Sequence, residues 1–201
     1  QTTDGGFILG GSSTSDISGD KTENNLGSLY DFWIVKTDSL GQILWQNTIG
    51  GINNDFLLSI KETTDGGFIL GGSSNSNISG DKTENCLGDE DYWIVKTDSL
   101  GNIQWQNTIG GSQRDVMLNI QQTFDSGYIV GGRSNSTISG DKIENCYGDW
   151  DYWIIKTDST GNIQWQNTIG GSSFDNLSSI KQTVDGGYIL GGWSSSSISG
   201  N

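Results

Sequence analysis

The chain contains no histidine, so any general acid or base must be a carboxylate, and a nucleophilic serine or cysteine would lack its usual base. Two carboxylate pairs recur, Asp89 with Asp91 and Asp149 with Asp151. Residues two apart on an extended stretch point the same way, and a glycosidase uses carboxyl groups roughly 5 to 9.5 Å apart. The pair is nevertheless written twice, sixty residues apart, whereas single active sites usually break the symmetry of their scaffold. An enzyme acting on polysaccharide is therefore the least favoured reading.

Metal binding is the second chemistry. Asp81, Glu84, Asp89 and Asp91, and again Asp141, Glu144, Asp149 and Asp151, supply clustered hard oxygens. Carbonyls of the surrounding Gly- and Asn-rich loop would complete the roughly six to eight ligands that calcium takes. The first copy keeps Asp20, Glu23 and Asp31 but has Ser28 where Asp89 stands. Neither the EF-hand spacing nor the nonapeptide calcium repeat is present. The same residues also read as solubilising charges and turn formers.

The third chemistry is recognition. Trp33, Trp93 and Trp153, with Trp45, Trp105 and Trp165, recur in register and are read as packing residues. Trp150 and Trp193 do not recur: Trp150 replaces Glu90, and Trp193 stands where the other copies have Ser12, Ser73 and Arg133. Such aromatics on a polar scaffold can stack on a sugar ring or anchor a protein contact. With Arg133 and Arg114 they form the candidate ligand-binding set, although isolated exposed aromatics are also common.

These residues sit on a repeat. Asp4, Asp65, Asp125 and Asp185 open the same hairpin motif, "DGGFILGG" or a near copy, at a step of sixty residues, with one extra residue in the first copy. The divisions are 1–51, a partial first repeat, 52–111, 112–171, and 172–201, a partial fourth. Each unit reads as four strands: "DFLLSIKET", with Phe56, Leu58 and Ile60 facing inward by alternation, then "GFILGGS", "DYWIVKT" and "NIQWQNTI". Asp-Gly steps and "DSLG" mark tight turns. The loop "SSNSNISGDKTENCLGDE" is too polar for core and is where a binding surface would lie.

Four antiparallel strands per unit, a tryptophan in the fourth and Gly-Gly pairs predict an all-β, β-propeller-like array of four-stranded blades. Thirteen strands give about three and a quarter blades, fewer than the roughly four to eight of a closed propeller. The array is then a piece of a longer propeller, a ring completed by other chains, or an open β-solenoid. A β-trefoil is the alternative, though its units are usually shorter. Gln1 in place of an initiating Met suits a processed or excised piece.

Composition narrows the partners. A formal charge of -14 on 201 residues repels a phosphate backbone or an anionic leaflet, which argues against nucleic acid. No apolar run is long enough for a membrane span, and no basic segment followed by an apolar one opens the chain. Cys86 and Cys146 occupy equivalent places in successive repeats and are expected to be unpaired thiols.

The segments "DGGYILGG", "ISGDKTEN" and "DYWIVKTDSLGNIQWQNTIGG" resemble repeats of secreted and surface proteins exported by the type IX secretion system of Bacteroidetes, over essentially the whole chain. That resemblance implies an extracellular or outer-surface, propeller-like array. "KTDSLGNIQWQ" is also similar to the corner of quinoprotein-type blades, but no cofactor site carries over. Ser39, Ser99 and Ser159, in "DSL", "DSL" and "DST", look like the O-glycosylation acceptor pattern of exported Bacteroidetes proteins and fall at exposed turns. The expected function is a non-enzymatic surface module for binding or adhesion to glycan or protein. The alternative is a structural repeat that assembles with further copies.

Overall fold

The computed structural model describes residues 1–197 and contains thirteen strands. They are β1 (Phe7–Ser13), β2 (Asp31–Thr37), β3 (Ile43–Ile49), β4 (Asp55–Glu62), β5 (Phe68–Ser74), β6 (Asp91–Thr97), β7 (Ile103–Ile109), β8 (Asp115–Gln122), β9 (Tyr128–Ser134), β10 (Asp151–Thr157), β11 (Ile163–Ile169), β12 (Asp175–Gln182) and β13 (Tyr188–Ser194). They form four antiparallel meanders: β1-β2-β3, β4-β5-β6-β7, β8-β9-β10-β11 and β12-β13. The fold is all-β, and the sheets do not close on themselves. Every named strand pairs within its own sheet, unlike the shared barrel of a trefoil. No helix among the described residues is long and apolar enough to cross a membrane.

Local chemistry accounts for the hairpins. In the β4–β5 turn Gly66 takes φ +80°, a conformation that costs an L-residue roughly 1–2 kcal/mol. The Asp65 carboxylate accepts from the Gly67 amide at 3.1 Å and from the Thr63 hydroxyl at 2.5 Å, and Lys96 Nζ reaches its Oδ2 at 2.9 Å. The recurrent Asp thus ties the turn to the third strand of its sheet. In the β6–β7 turn Asp98 Oδ1 accepts from the amides of Leu100 and Asn102, at 2.8 and 2.9 Å.

The inward face of the first strand differs from strict alternation. Leu57 pairs with Gly72 and Ser59 with Gly71, which leaves Leu58 as the extra residue of a β-bulge. Leu57 is therefore buried while Leu58 is 47% exposed. The same bulge in β8 buries Met117 and Ile120.

That bulge aims the apolar pair at the next feature, the glycine pair of the second strand. At Gly71 a Cβ would run into Met117 and Ile120 of the following sheet; at Gly10 it would meet Leu57 and Ile60, and at Gly131 Leu177 and Ile180. On the other side, Gly72 lies against the Phe32 ring of the preceding sheet, and Gly132 and Gly192 against the hydroxyls of Tyr92 and Tyr152. Buried aromatics complete the first two junctions: Phe32 with Trp93 at 4.8 Å and Tyr92 with Trp153 at 5.1 Å between centroids.

The polar loop after the second strand is not merely solvated. Lys82 and Lys142, within it, are 1% exposed and lie 5.4 and 4.9 Å over the rings of Trp93 and Trp153, a cation–π contact. Gln106 clamps the loop, accepting from Trp93 Nε1 at 3.0 Å and donating to the Asp81 carbonyl at 2.6 Å. Cys86 and Cys146 are free thiols, and burial pushes both up to about 11.

A Cβ on Gly71 would overlap Met117 Sδ and come 2.8 Å from Ile120 Cγ2 of the following sheet, whereas the equivalent Gly191 has nothing within 4 Å. Gly71→Ala is expected to cost roughly 1–3 kcal/mol by overpacking, and Gly191→Ala to stay within about 0.5 kcal/mol. Urea unfolding of the two variants reads the difference, and equal midpoints would remove the glycine pair as the spacing element.

Candidate functional site

Three of the four residues singled out for recognition meet in one cluster where the third and fourth sheets join. Trp150, in the bend before β10, forms a parallel bridge with Phe174, just before β12. Their ring centroids are 6.0 Å apart. Phe174 stacks on Trp193 of β13 at 5.0 Å and 4°. Arg133 of β9 lies 5.0 Å over the Trp150 ring and 5.3 Å over the Phe174 ring, and its Nη1 donates to Asn176 Oδ1 at 2.6 Å. Phe174 is thus held between a guanidinium and an indole.

Arg114 takes a different partner. Its Nε donates to Glu90 Oε2 at 3.0 Å, one repeat before the aromatic pair. Glu90–Arg114 and Trp150–Phe174 are the same bridge in successive junctions, so an ion pair in one copy is an aromatic pair in the next. Burial first, then the charge of Arg114, hold the Arg133 guanidinium below its ordinary value. The four residues therefore lie along one rim, with Trp193 at its end, 53% exposed.

Sequence reading missed Phe174 and Asn176. Phe174 replaces Arg114 of the preceding copy and so breaks the repeat as plainly as Trp150 does; the signal was present.

The two carboxylate pairs are split. Asp89 and Asp149 are exposed, whereas Asp91 and Asp151 are fully buried. The earlier residue lies in a bend rather than on a strand, so the alternation expected for an extended stretch does not apply. Asp91 Oδ2 accepts from the amides of Leu87 and Gly88, and its Oδ1 has no hydrogen-bond partner among the described residues.

The metal candidates also disperse. Among the described residues no three acidic, cysteine or histidine groups converge on a metal-holding site. Glu84 Oε2 accepts from the Thr108 amide at 2.6 Å and Glu144 Oε2 from Thr168 at 2.6 Å. Asp81 and Asp141 accept from Gly50 and Gly110, at 3.2 Å each. Burial raises Asp81 and Asp141, and Glu23 and Glu84 add to the effect, so the electrostatic neighbours come from successive repeats. Asp81 and Glu84, close in sequence, serve different junctions.

A carboxylate pairing that the sequence did not suggest appears at each junction. Asp91 of one sheet faces Asp115 of the next across the Gly110–Gly111 step, where Gly111 N–H donates to Asp115 Oδ2 at 2.6 Å. Asp31 with Asp55 and Asp151 with Asp175 repeat it.

Ser39, Ser99 and Ser159 lie exposed in the turns between third and fourth strands. Asp38, Asp98 and Asp158 form those turns through their own carboxylates.

No family model matches the chain. It is 26% identical over 171 residues to the regulatory protein FlaEY of Caulobacter vibrioides, an alignment covering 81% of this chain and 18% of that protein. The chain therefore spans under a fifth of the length of the curated relative it matches.

Burial, opposed by the Leu87 and Gly88 amides and reinforced by Asp115, raises Asp91 to about 6, with Lys82 pulling the other way. A raised carboxylate contributes fully to stability at low pH and loses that contribution as pH rises through its folded value. The urea midpoint is expected to fall as pH rises from about 4 to about 6. Asp91→Asn, which keeps an acceptor for the Leu87 amide, should flatten that fall. Parallel pH profiles for the two proteins would show that Asp91 does not titrate in this range.

Proposed function

We propose that the chain is a non-enzymatic binding module, a set of β-propeller-like blades displayed outside the cell, which recognises a glycan or protein surface through the Arg133, Trp150, Phe174 and Trp193 rim. The observation that carries this is the outer indole: Trp193 is stacked flat on Phe174 yet remains 53% exposed. A pre-ordered ring with an open face offers stacking area at little further entropic cost. Arg133 beneath it stiffens the stack and keeps a cation near the rim.

The propeller-like reading is supported by sheets that stack face to face with their first strands β4, β8 and β12 adjacent. The resemblance of the repeats to type IX cargo supports the exported location, and the exposed Ser39, Ser99 and Ser159 suit O-glycosylation there. Calcium in the acidic loops is not part of this reading, since the carboxylates of Asp81, Glu84 and Asp91, and of Asp141, Glu144 and Asp151, serve separate backbone amides.

A second reading, assembly with further sheets, is favoured by one observation. Gly11 and Gly191 have nothing within 4 Å, where the corresponding internal glycines are covered by a neighbouring sheet. Light scattering that shows mass growing with concentration would place the end sheets, rather than the rim, at the centre of function.

The rim is tested by a glycan-array and protein-array screen with wild type, Trp193→Ala and Trp150→Ala. Trp193→Ala should weaken a hit at least tenfold without lowering the melting temperature. Unchanged binding by both variants would remove the rim from the site.

A further inference from the structure

Two grooves open at the sheet junctions on the side of the fourth strands, apart from the aromatic rim. One, of about 320 Å³, is lined by Glu84, Asn107, Asp141 and Asn162 with Ile109 and Ile163. The other, of about 430 Å³, is lined by the corresponding residues of the preceding repeat, Glu23, Asn47, Asp81 and Asn102 among them. Both volumes fall within the roughly 300–1,000 Å³ of small-molecule sites.

The inner surface is built by spending one oxygen of each acid on the scaffold. Glu84 Oε2 and Asp141 Oδ2 hold the amides of Thr108 and Gly110, and Asn107 Nδ2 donates to the Gly161 carbonyl at 2.7 Å. Glu84 Oε1, Asp141 Oδ1 and Asn107 Oδ1 are left without a protein partner among the described residues. In the second groove the same bonds recur: Asp81 to Gly50 at 3.2 Å and Asn47 to Gly101 at 2.7 Å. Each groove therefore offers three fixed acceptors, two of them on carboxylates.

An indole packs against the lining glycine of each groove without lining the groove itself. A Cβ on Gly161 would come 2.9 Å from Cζ3 of Trp105, and one on Gly101 2.9 Å from Cζ3 of Trp45. Both tryptophans are half-buried. No Lys or Arg lines either groove, so an anionic ligand would meet only like charge.

We propose that these grooves are paired binding sites for a neutral polysaccharide, each taking a sugar residue whose hydroxyls donate to the Glu, Asp and Asn oxygens while a C–H face rests near the lining isoleucine, Ile163 in one groove and Ile103 in the other. Fixed acceptors without donors select a ligand that brings its own O–H groups, and carboxylate acceptors bind them more strongly than neutral ones. The grooves share one register a repeat apart, so one polymer chain engages both, and linkage multiplies the affinity of either alone. This site is independent of the Trp193 rim and stands or falls without it.

Native affinity electrophoresis tests the assignment, with galactomannan, xyloglucan, mixed-linkage β-glucan and dextran in the gel, and alginate as the anionic comparison. Glu84→Gln with Asp141→Asn empties one groove of charge, and Glu23→Gln with Asp81→Asn the other. Each change leaves an oxygen to hold the scaffold amide. At least one neutral polysaccharide should retard wild type. Either double variant should lose tenfold or more in affinity, and the quadruple variant should lose retardation. If the quadruple variant folds poorly, shifts of the Asn107 and Asn162 side-chain amide signals in wild type, on adding an oligosaccharide of the responding polymer, carry the same test. Overturning results are retardation by alginate alone, no retardation by any neutral polymer, wild-type retardation of the quadruple variant, or loss in that variant of calorimetric calcium binding with no polysaccharide response.

Discussion

The distance between successive sheets is set by two glycines in each second strand. Gly71 admits Met117 and Ile120 from the sheet that follows, while Gly72 lies against Phe32 from the sheet before. A side chain at Gly71 would hold the sheets apart and uncouple everything that depends on their contact, and one at Gly72 would first strike the Phe56 carbonyl of its own sheet. The ring pairs Phe32–Trp93 and Tyr92–Trp153, the buried Asp pairs and the junction grooves all need that close approach. Interiors packed at near-crystalline density leave little room for adjustment.

The same closeness forces unlike uses on residues that look alike in sequence. Because the junction buries it, Asp91 loses its ordinary acidity even though it accepts from the Leu87 and Gly88 amides. Asp65, at the exposed hairpin, meets Lys96 and two hydrogen-bond donors and is pulled down to about 2. Two aspartates twenty-six residues apart thus titrate on opposite sides of the ordinary range. The array is a set of sheets joined along seams of buried aspartates and pinned at their hairpins by salt bridges.

Much of the fold was legible because the repeat wrote it several times. Thirteen strands, the Asp-Gly hairpins and the role of the glycine pairs follow from period and turn chemistry. The bulge at Leu58 was not legible, since the apolar run Phe56, Leu57, Leu58 allows either register and only the pairing with Gly71 and Gly72 decides it. Lys82 was hidden in a loop of polar composition because its burial depends on Trp93 from a later strand. Of the candidate site, Trp150, Trp193 and Arg133 could be found as breaks in the repeat. The carboxylate partnerships could not: proximity in sequence groups Asp81 with Glu84, whereas stacking sets Glu84 beside Asp141 of the next repeat.

If coupling between sheets is what holds this molecule, stability must be greatest where a sheet is covered on both faces. Residue-resolved amide hydrogen exchange at neutral pH measures this directly. The account predicts the slowest exchange in β5, β6, β9 and β10, and the fastest among strand amides in β1 and β13, whose glycine pairs Gly10–Gly11 and Gly191–Gly192 are covered on one side at most. Equal protection across all four sheets, or slowest exchange in β13, would contradict it.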